Sequence, residues 1–181
     1  MLIKHHEPLG DPNQRQDPLP KNWKDIAGAE AGFIPVRFAA VEVGKLYRSG
    51  IVWPQQVHRL QEKYGIAHII SLIEGGWLSD FYEDPSITIH QFPFYQRREL
   101  TAKRVGDIVD TINGLEQPAL VHCLKGVTKT GMVSAAYQIM NGQKSNLGAF
   151  LEYIWRSEWH LSGLVNTSTV REIFYYGDHR S

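Results

Sequence analysis

The residues best suited to chemistry in this 181-residue sequence surround its single cysteine, Cys123. Residues 120–131 read LVHCLKGVTKTG, so a short apolar run leads through a glycine-containing loop into a helical pattern. Backbone N–H groups in such a loop can converge on one point, and the amino end of the following helix adds partial positive charge. This arrangement suits a bound phosphate and favours the thiolate form of a cysteine. Cys123 is therefore predicted to be a nucleophile, although an inert buried thiol is the alternative for a lone cysteine.

Apolar runs of strand length alternate with helical patterns on both sides of this loop. Strands are predicted at residues 41–47, which lead into a turn at 46–50, and at 67–73, 87–94 and 119–122. Helices are predicted from Pro54 to Gly65, from Thr101 to Gly114, and over 130–140, 147–159 and 165–175. The alternation predicts an α/β fold with a central, mostly parallel sheet flanked by helices. Ligands bind at the carboxyl ends of strands in such sheets, where the Cys123 loop also lies.

Composition limits the classes of partner that the chain is expected to bind. Residues 1–32, rich in proline and amides, are predicted to form an extended arm before a domain that spans 33–181. Lys plus Arg and Asp plus Glu both number 19, so no overall basic field attracts nucleic acid. No apolar run is long enough for a membrane helix, and the first residues lack the apolar core of a secretory signal. We therefore expect a cytoplasmic protein with no nucleic-acid or membrane partner.

The Cys123 segment resembles the phosphate-binding loop of the protein tyrosine phosphatase superfamily of cysteine-dependent phosphatases. That loop reads His-Cys, five residues, Arg, then Ser or Thr; here His122, Cys123 and Thr130 are in register, and Lys129 replaces the arginine. The resemblance extends over roughly residues 40–160, in the order seen in dual-specificity and related bacterial members. It implies the fold of tyrosine and dual-specificity phosphatases and a mechanism that needs neither metal nor cofactor.

The resemblance also implies a role for each residue of the loop. Cys123 would attack phosphorus and form a phosphocysteine, and Thr130 would hydrogen-bond the sulfur and assist its departure. His122 would support the loop from beneath. The backbone of the loop would hold the phosphoryl oxygens, through Leu124, Lys125, Gly126, Val127, Thr128 and Lys129.

Two positions depart from the family pattern. Lys129 keeps the charge of the missing arginine but loses its bidentate geometry, which costs on the order of 10² to 10³ in rate. The family places a general-acid aspartate where this sequence has Gln96, which cannot donate a proton at neutral pH. Glu99, in the same predicted loop, is the candidate replacement.

Several further cations are predicted to lie near the loop. Arg97, Arg98 and Lys125 would suit a multiply phosphorylated small molecule, such as an inositol phosphate, at least as well as a phosphotyrosine peptide. Arg48 is interpreted as structural, bonding carbonyl groups near the loop, although the predicted sheet order could also bring it to the pocket.

The residues leave three alternatives to a phosphatase. A pseudophosphatase, which binds phosphorylated ligands with little turnover, is the main rival because of Lys129 and Gln96. A sulfurtransferase also uses a cysteine in a cradle of N–H groups, but the His-Cys start favours the phosphatase. A nucleotide-binding P-loop is disfavoured because Cys123 and Thr128 occupy two of its glycine positions. A metal site is not expected, because the eight histidines show no metal-ligand spacing.

Overall fold

The computed structural model describes residues 2–5, 34–73, 86–94 and 99–156. The strands in these ranges are β1 (Leu2–His5), β2 (Ala39–Glu42), β3 (Leu46–Ser49), β4 (His68–Ser71), β5 (Thr88–Gln91) and β6 (Ala119–His122). The helices are α1 (Pro54–Tyr64), α2 (Ala102–Asn113), α3 (Thr128–Met140) and α4 (Asn146–Arg156). The strands form one sheet in the order β1-β5-β4-β6-β3-β2. Every neighbouring pair is parallel except β2 with β3, so the predicted α/β fold with a mostly parallel sheet is confirmed.

Both ends of α1 follow from local sequence signals. Pro54 is the first helical residue, and the side-chain oxygen of Gln56 accepts a hydrogen bond of 3.0 Å from the Trp53 N–H. At the other end Gly65 adopts a left-handed conformation with φ 69°, and its N–H donates to the Gln61 carbonyl at 2.8 Å. The predicted limits of this helix are confirmed.

Helix α2 is capped and buried as its sequence predicts. The Thr101 hydroxyl accepts a 3.3 Å hydrogen bond from the Arg104 N–H in the first turn. One face of the helix is fully removed from solvent and packs into the core, and it carries Val105, Ile108, Val109 and Ile112.

The prediction of one strand over residues 41–47 is wrong. The chain reverses at Gly44, whose φ of 77° suits glycine, and the two sides of this turn form the antiparallel pair β2 and β3. The predicted turn at 46–50 is mostly strand β3, because these residues pair in parallel with β6 in the centre of the sheet. A turn follows only after Ser49.

The prediction for the N-terminal arm differs from the structure at four residues. Strand β1 lies at the edge of the sheet and pairs in parallel with β5, with Leu2 opposite Thr88. These residues therefore belong to the sheet and not to a separate arm, whereas the domain boundary between residues 32 and 33 stays a prediction. The predicted helix at 165–175 and the last residues of the predicted helix at 147–159 lie outside the described residues.

Strand β6 is the element that carries Cys123 to the edge of the sheet. It lies between β4 and β3, and its four residues are completely buried. Such a central position explains its continuous apolar run. Cys123 follows the last residue of β6, so the predicted location of its loop at a strand's carboxyl end is confirmed. Within the described ranges, none of the helices combines the length and the apolar character that a membrane span requires.

Candidate active site

Cys123 lies at the start of a tight loop that joins β6 to α3. Its side chain is 5% exposed, and its Sγ atom accepts a 3.2 Å hydrogen bond from the N–H of Gly126. A backbone N–H directed at sulfur stabilises negative charge there. The loop thus folds back on the cysteine.

Two carbonyl groups of this loop are held from outside by neighbouring donors. The Leu124 carbonyl accepts a 3.1 Å hydrogen bond from the N–H of Ile51, and the Gly126 carbonyl accepts one of 2.6 Å from Nη2 of Arg48. Because a trans peptide directs its C=O and its following N–H to opposite sides, the next N–H groups face away from these donors. Arg48 is buried, and its predicted structural role at the loop's carbonyls is confirmed.

Gly126 allows the loop to touch the turn that follows β3. Its φ is 69°, and a Cβ atom there would lie 2.5 Å from the Gly50 nitrogen and 2.7 Å from the Ser49 carbonyl carbon. Any other residue would collide with backbone atoms that cannot move independently. We call residues 49–51 the supporting turn, since they both contact Gly126 and donate to Leu124.

Thr130 lies in the first turn of α3, which begins at Thr128, two residues before its predicted start. The side chain is fully buried, and its hydroxyl donates to the Ser49 carbonyl at 3.5 Å. The structure therefore ties Thr130 to the supporting turn. Its predicted hydrogen bond to the cysteine sulfur stays a prediction.

His122 is the last residue of β6 and is completely buried. Burial lowers the pKa of its imidazole to about 4, an effect that the Cys123 backbone partly offsets. Neither ring nitrogen has a hydrogen bond of standard geometry among the described residues. The ring is therefore uncharged at neutral pH, which suits packing beneath the loop better than contact with an anion.

Lys129 extends from α3 to the segment that follows β5. Its Nζ atom donates a 2.6 Å hydrogen bond to the carbonyl of Phe94. The predicted phosphate-binding cation is thus anchored to the backbone immediately before residues 95–98. The distance from Lys129 to a phosphate in the loop is not fixed by this contact, so its predicted role stays a prediction.

Arg104 also holds this segment, and sequence reasoning missed it. Its Nη2 atom donates to the Pro93 carbonyl at 2.6 Å, and its guanidinium carbon lies 4.6 Å from the centroid of the Phe94 ring. The side chain is 6% exposed. A signal was available, because Arg104 lies four residues before Ile108 and therefore on the apolar face of α2.

Glu99, the candidate proton donor, is paired with this arginine. Its Oε2 atom lies 3.5 Å from Nη1 of Arg104, and its side chain is 12% exposed. The predicted loop residues Gln96, Arg97 and Arg98 lie outside the described residues. Among the described ranges, no group of three or more His, Cys, Asp or Glu side chains is arranged to hold a metal ion.

The chain matches one family model over residues 47–172, which is more than half of its length. That family is described as PTP-SAK, Swiss Army Knife protein, DSP-PTPase phosphatase domain. No curated protein matches the chain.

Solved structures of cysteine phosphatases share the fold at low sequence identity. The catalytic domain of the PP-IP phosphatase SIW14 from S. cerevisiae is 19% identical with a TM-score of 0.61, over 82% of this chain and 87% of that chain. TpbA of P. aeruginosa is 19% identical with a TM-score of 0.58, over 81% and 86%. Tk-PTP in its active form is 16% identical with a TM-score of 0.59, over 80% and 97%. These likenesses confirm the predicted cysteine-phosphatase fold.

Proposed function

We propose that this chain, which belongs to the DSP-PTPase phosphatase family, hydrolyses phosphomonoesters through a phosphocysteine at Cys123. The Cys123 thiolate attacks phosphorus, a sulfur–phosphorus bond forms, and the bond from phosphorus to the leaving oxygen breaks. Water then attacks phosphorus and the sulfur departs as thiolate, so that inorganic phosphate is released. The observation that carries this proposal is the Gly126 N–H directed at the Cys123 sulfur from a loop whose carbonyls are bonded outward.

The backbone of residues 124–129 is the proposed phosphate cradle. Outside donors hold the carbonyls of Leu124 and Gly126. Because each carbonyl and the next N–H point in opposite directions, the N–H groups of Lys125 and Val127 face away from those donors. Such pre-oriented donors stabilise charge that develops on the phosphoryl oxygens without rearranging during the reaction. Thr130 is proposed to assist the departing sulfur in the second step.

Lys129 is proposed to neutralise phosphoryl charge. An ammonium group carries three N–H donors, so it can keep its bond to the Phe94 carbonyl and still donate to a phosphoryl oxygen. It lacks the fork of an arginine. We therefore expect Lys129→Arg to raise the phosphate-release rate, by as much as about 10²-fold if both lost hydrogen bonds are restored.

Glu99 is proposed as the proton donor to the leaving oxygen. To act in this way its carboxyl group must exchange its contact with Arg104 for the substrate. Glu99→Gln should then remove the alkaline limb of the pH profile of kcat/KM, because a general acid is lost as pH rises. An alkaline limb that persists in this variant would reject the assignment.

The proposed substrates are phosphotyrosine peptides or inositol phosphates. Three solved structures support this range: SIW14 is described as a PP-IP phosphatase, TpbA is seen with pTyr, and PTPMT1 is seen with PI(5)P. Lys125 and Lys129 are the two lysines that this chain contributes within the loop itself. Aryl phosphates should react fastest, since a phenolate needs less help from a proton donor than an alkoxide does.

A pseudophosphatase is the second candidate, and one contact favours it. The Nζ atom of Lys129 is bonded to Phe94, so the only cation at the arginine position of the loop is already engaged with the backbone. Such a protein would keep the phosphate cradle but turn substrate over little.

The decisive experiment is phosphate release from an aryl phosphate, a phosphotyrosine peptide and an inositol polyphosphate, each with wild type and Cys123→Ser. Arg59→Ala is the control variant, since Arg59 is exposed on α1 and is not part of the loop. Release that depends on Cys123 supports the phosphatase and ranks its substrates. No release, together with saturable vanadate binding, would establish the pseudophosphatase.

A further inference from the structure

Arg37 has an unusual backbone conformation directly beside the Cys123 loop. It is the one non-glycine residue with a positive φ, 56°, in the part of the chain that the structure describes. A left-handed conformation costs a residue with a Cβ atom on the order of 1 kcal/mol. Strain of this kind persists only where surrounding contacts impose it, and it often marks a functional position.

Contacts on both sides of Arg37 impose this conformation. The Val36 carbonyl accepts a 2.8 Å hydrogen bond from the N–H of Gly50 in the supporting turn. The N–H of Phe38 donates to the Pro35 carbonyl at 3.1 Å, which closes a tight turn around Arg37. The strained residue is thus fixed against the supporting turn.

The Arg37 side chain reaches the loop itself. Its Nη1 atom donates to the carbonyl of Lys125 at 3.3 Å, across 88 positions of the sequence. The carbonyls of residues 124, 125 and 126 therefore each have a donor outside the loop, and Arg37 supplies the middle one.

The peptide bond between Lys125 and Gly126 is the one that matters for the cysteine. Its carbonyl accepts from Arg37, and its N–H is the group that donates to the Cys123 sulfur at 3.2 Å. Since the peptide is planar, a donor that fixes the carbonyl also fixes the direction of the N–H. A charged donor on the carbonyl further polarises the peptide and strengthens the bond that its N–H makes.

Gly126 is a residue type at which such a restraint matters. A glycine populates positive and negative φ about equally, so a peptide that precedes it can rotate and turn its N–H away. Without a partner on the Lys125 carbonyl, the cysteine would lose its backbone donor for part of the time.

We propose that Arg37 is a positioning residue that holds the Lys125–Gly126 peptide with its N–H directed at Cys123. The proposal rests on the proposed function only in taking Cys123 as the reactive nucleophile. Arg37 acts through the loop backbone and is not assigned a contact with substrate.

The test is the rate at which iodoacetamide alkylates wild type, Arg37→Gly and Arg37→Lys across a range of pH. Because the chain has one cysteine, a single mass addition reports on Cys123 alone. Glycine accepts the left-handed backbone without strain, so Arg37→Gly removes the guanidinium while preserving the turn. Arg59→Ala serves again as the control for loss of an exposed arginine.

We expect Arg37→Gly to slow alkylation about twofold to tenfold at pH 6, which corresponds to one hydrogen bond of ordinary strength. The melting temperature should stay unchanged or rise, and Arg37→Lys should recover part of the rate. Alkylation of folded Arg37→Gly at the wild-type rate at every pH would overturn the proposal. So would an Arg37→Asn variant that reacts at the wild-type rate if Arg37→Gly fails to fold, because asparagine also accepts the left-handed backbone and lacks the guanidinium.

These outcomes are separate from those of the phosphatase proposal, because alkylation requires no turnover. Slower alkylation in Arg37→Gly, with no phosphate release by any variant, would support the positioning role and reject the phosphatase. If the wild type releases phosphate, and Arg37→Gly changes neither kcat/KM nor the alkylation rate, the phosphatase is supported and the positioning role is rejected.

Discussion

The two sides of the Cys123 loop are stabilised in different ways. On the side of the supporting turn, separate donors bond successive carbonyls of the loop, so the restraint is distributed over several contacts. On the side of β5, Arg104 and Lys129 bond the backbone at Pro93 and Phe94. The contacts from the supporting turn shape the loop that would hold an anion. On the β5 side, the cationic side chains of Arg104 and Lys129 instead bond the segment that follows β5. The proposed nucleophile thus lies in a loop with several outside donors, whereas Glu99, the proposed proton donor, is paired with Arg104.

The largest effect is expected where the loop meets the supporting turn. Gly126→Ala places a Cβ atom 2.5 Å from the Gly50 nitrogen, so we expect a loss of more than about 3 kcal/mol in the free energy of unfolding. Phosphate release should fall at least about 100-fold, since the Gly126 N–H moves away from Cys123. Urea unfolding and the phosphate assay measure the two effects.

Gly142→Ala is the matched control for this variant. Gly142 also has a positive φ, 66°, but a Cβ atom there would meet nothing within 4 Å. Gly142→Ala should therefore lower the free energy of unfolding by only about 1 kcal/mol, which is the cost of backbone strain alone. Equal losses in the two variants would show that contact with the supporting turn contributes nothing.

The next largest effect is expected on the β5 side. Arg104→Met removes the donor to Pro93 and the cation beside the largely buried Glu99 carboxylate, so the free energy of unfolding should fall by about 3 kcal/mol. Lys103→Met is the neighbouring control, since the ion pair from Lys103 to Asp107 is exposed, and it should stay within about 0.5 kcal/mol of wild type. Similar values for the two variants would mean that the β5 side does not depend on Arg104.

His122, beneath the loop, should make stability depend on pH. Its pKa is about 4 in the folded protein and about 6.5 when unfolded, so the unfolded state binds more protons between these values. The contribution of the neutral His122 ring to the free energy of unfolding is complete above pH 6.5, and about 3 kcal/mol of it is lost as pH decreases toward 4. Urea unfolding at several pH values should show this slope in wild type and a smaller one in His122→Gln. An unchanged slope in the variant would assign the acid sensitivity to other groups.

The sequence predicted the loop better than its surroundings, for a physical reason. The position of Cys123 after a buried strand can be predicted from the residues next to it in the sequence. The same is true of the ends of α1 at Pro54 and Gly65. Arg37 and Arg104 act across the fold, and their partners lie 88 and 11 residues away. The arginine at position 37 has no neighbouring pattern that marks it, whereas Arg104 could have been found on the apolar face of its helix.

The reversal at Gly44 was missed for a related reason. Residues 39–49 carry apolar residues on both sides of the turn, so one strand and two short strands give similar patterns. Pairing of β3 with the central strand β6 decides between them, and that contact joins residues about 70 positions apart.

The smallest effect is expected at a contact between helix α3 and strand β2, outside the Cys123 loop. Tyr137 on α3 donates a 2.6 Å hydrogen bond to Glu42 on β2, and burial together with this carboxylate raises the pKa of its hydroxyl above its usual range. Tyr137→Phe should cost about 1 kcal/mol, one hydrogen bond, and leave alkylation of Cys123 unchanged. Because the raised pKa favours the neutral phenol in the folded state, the contribution of Tyr137 is complete below pH 10 and is lost as pH rises beyond it. A loss as large as that of Arg104→Met would instead mean that the packing of α3 against β2 depends on this one contact.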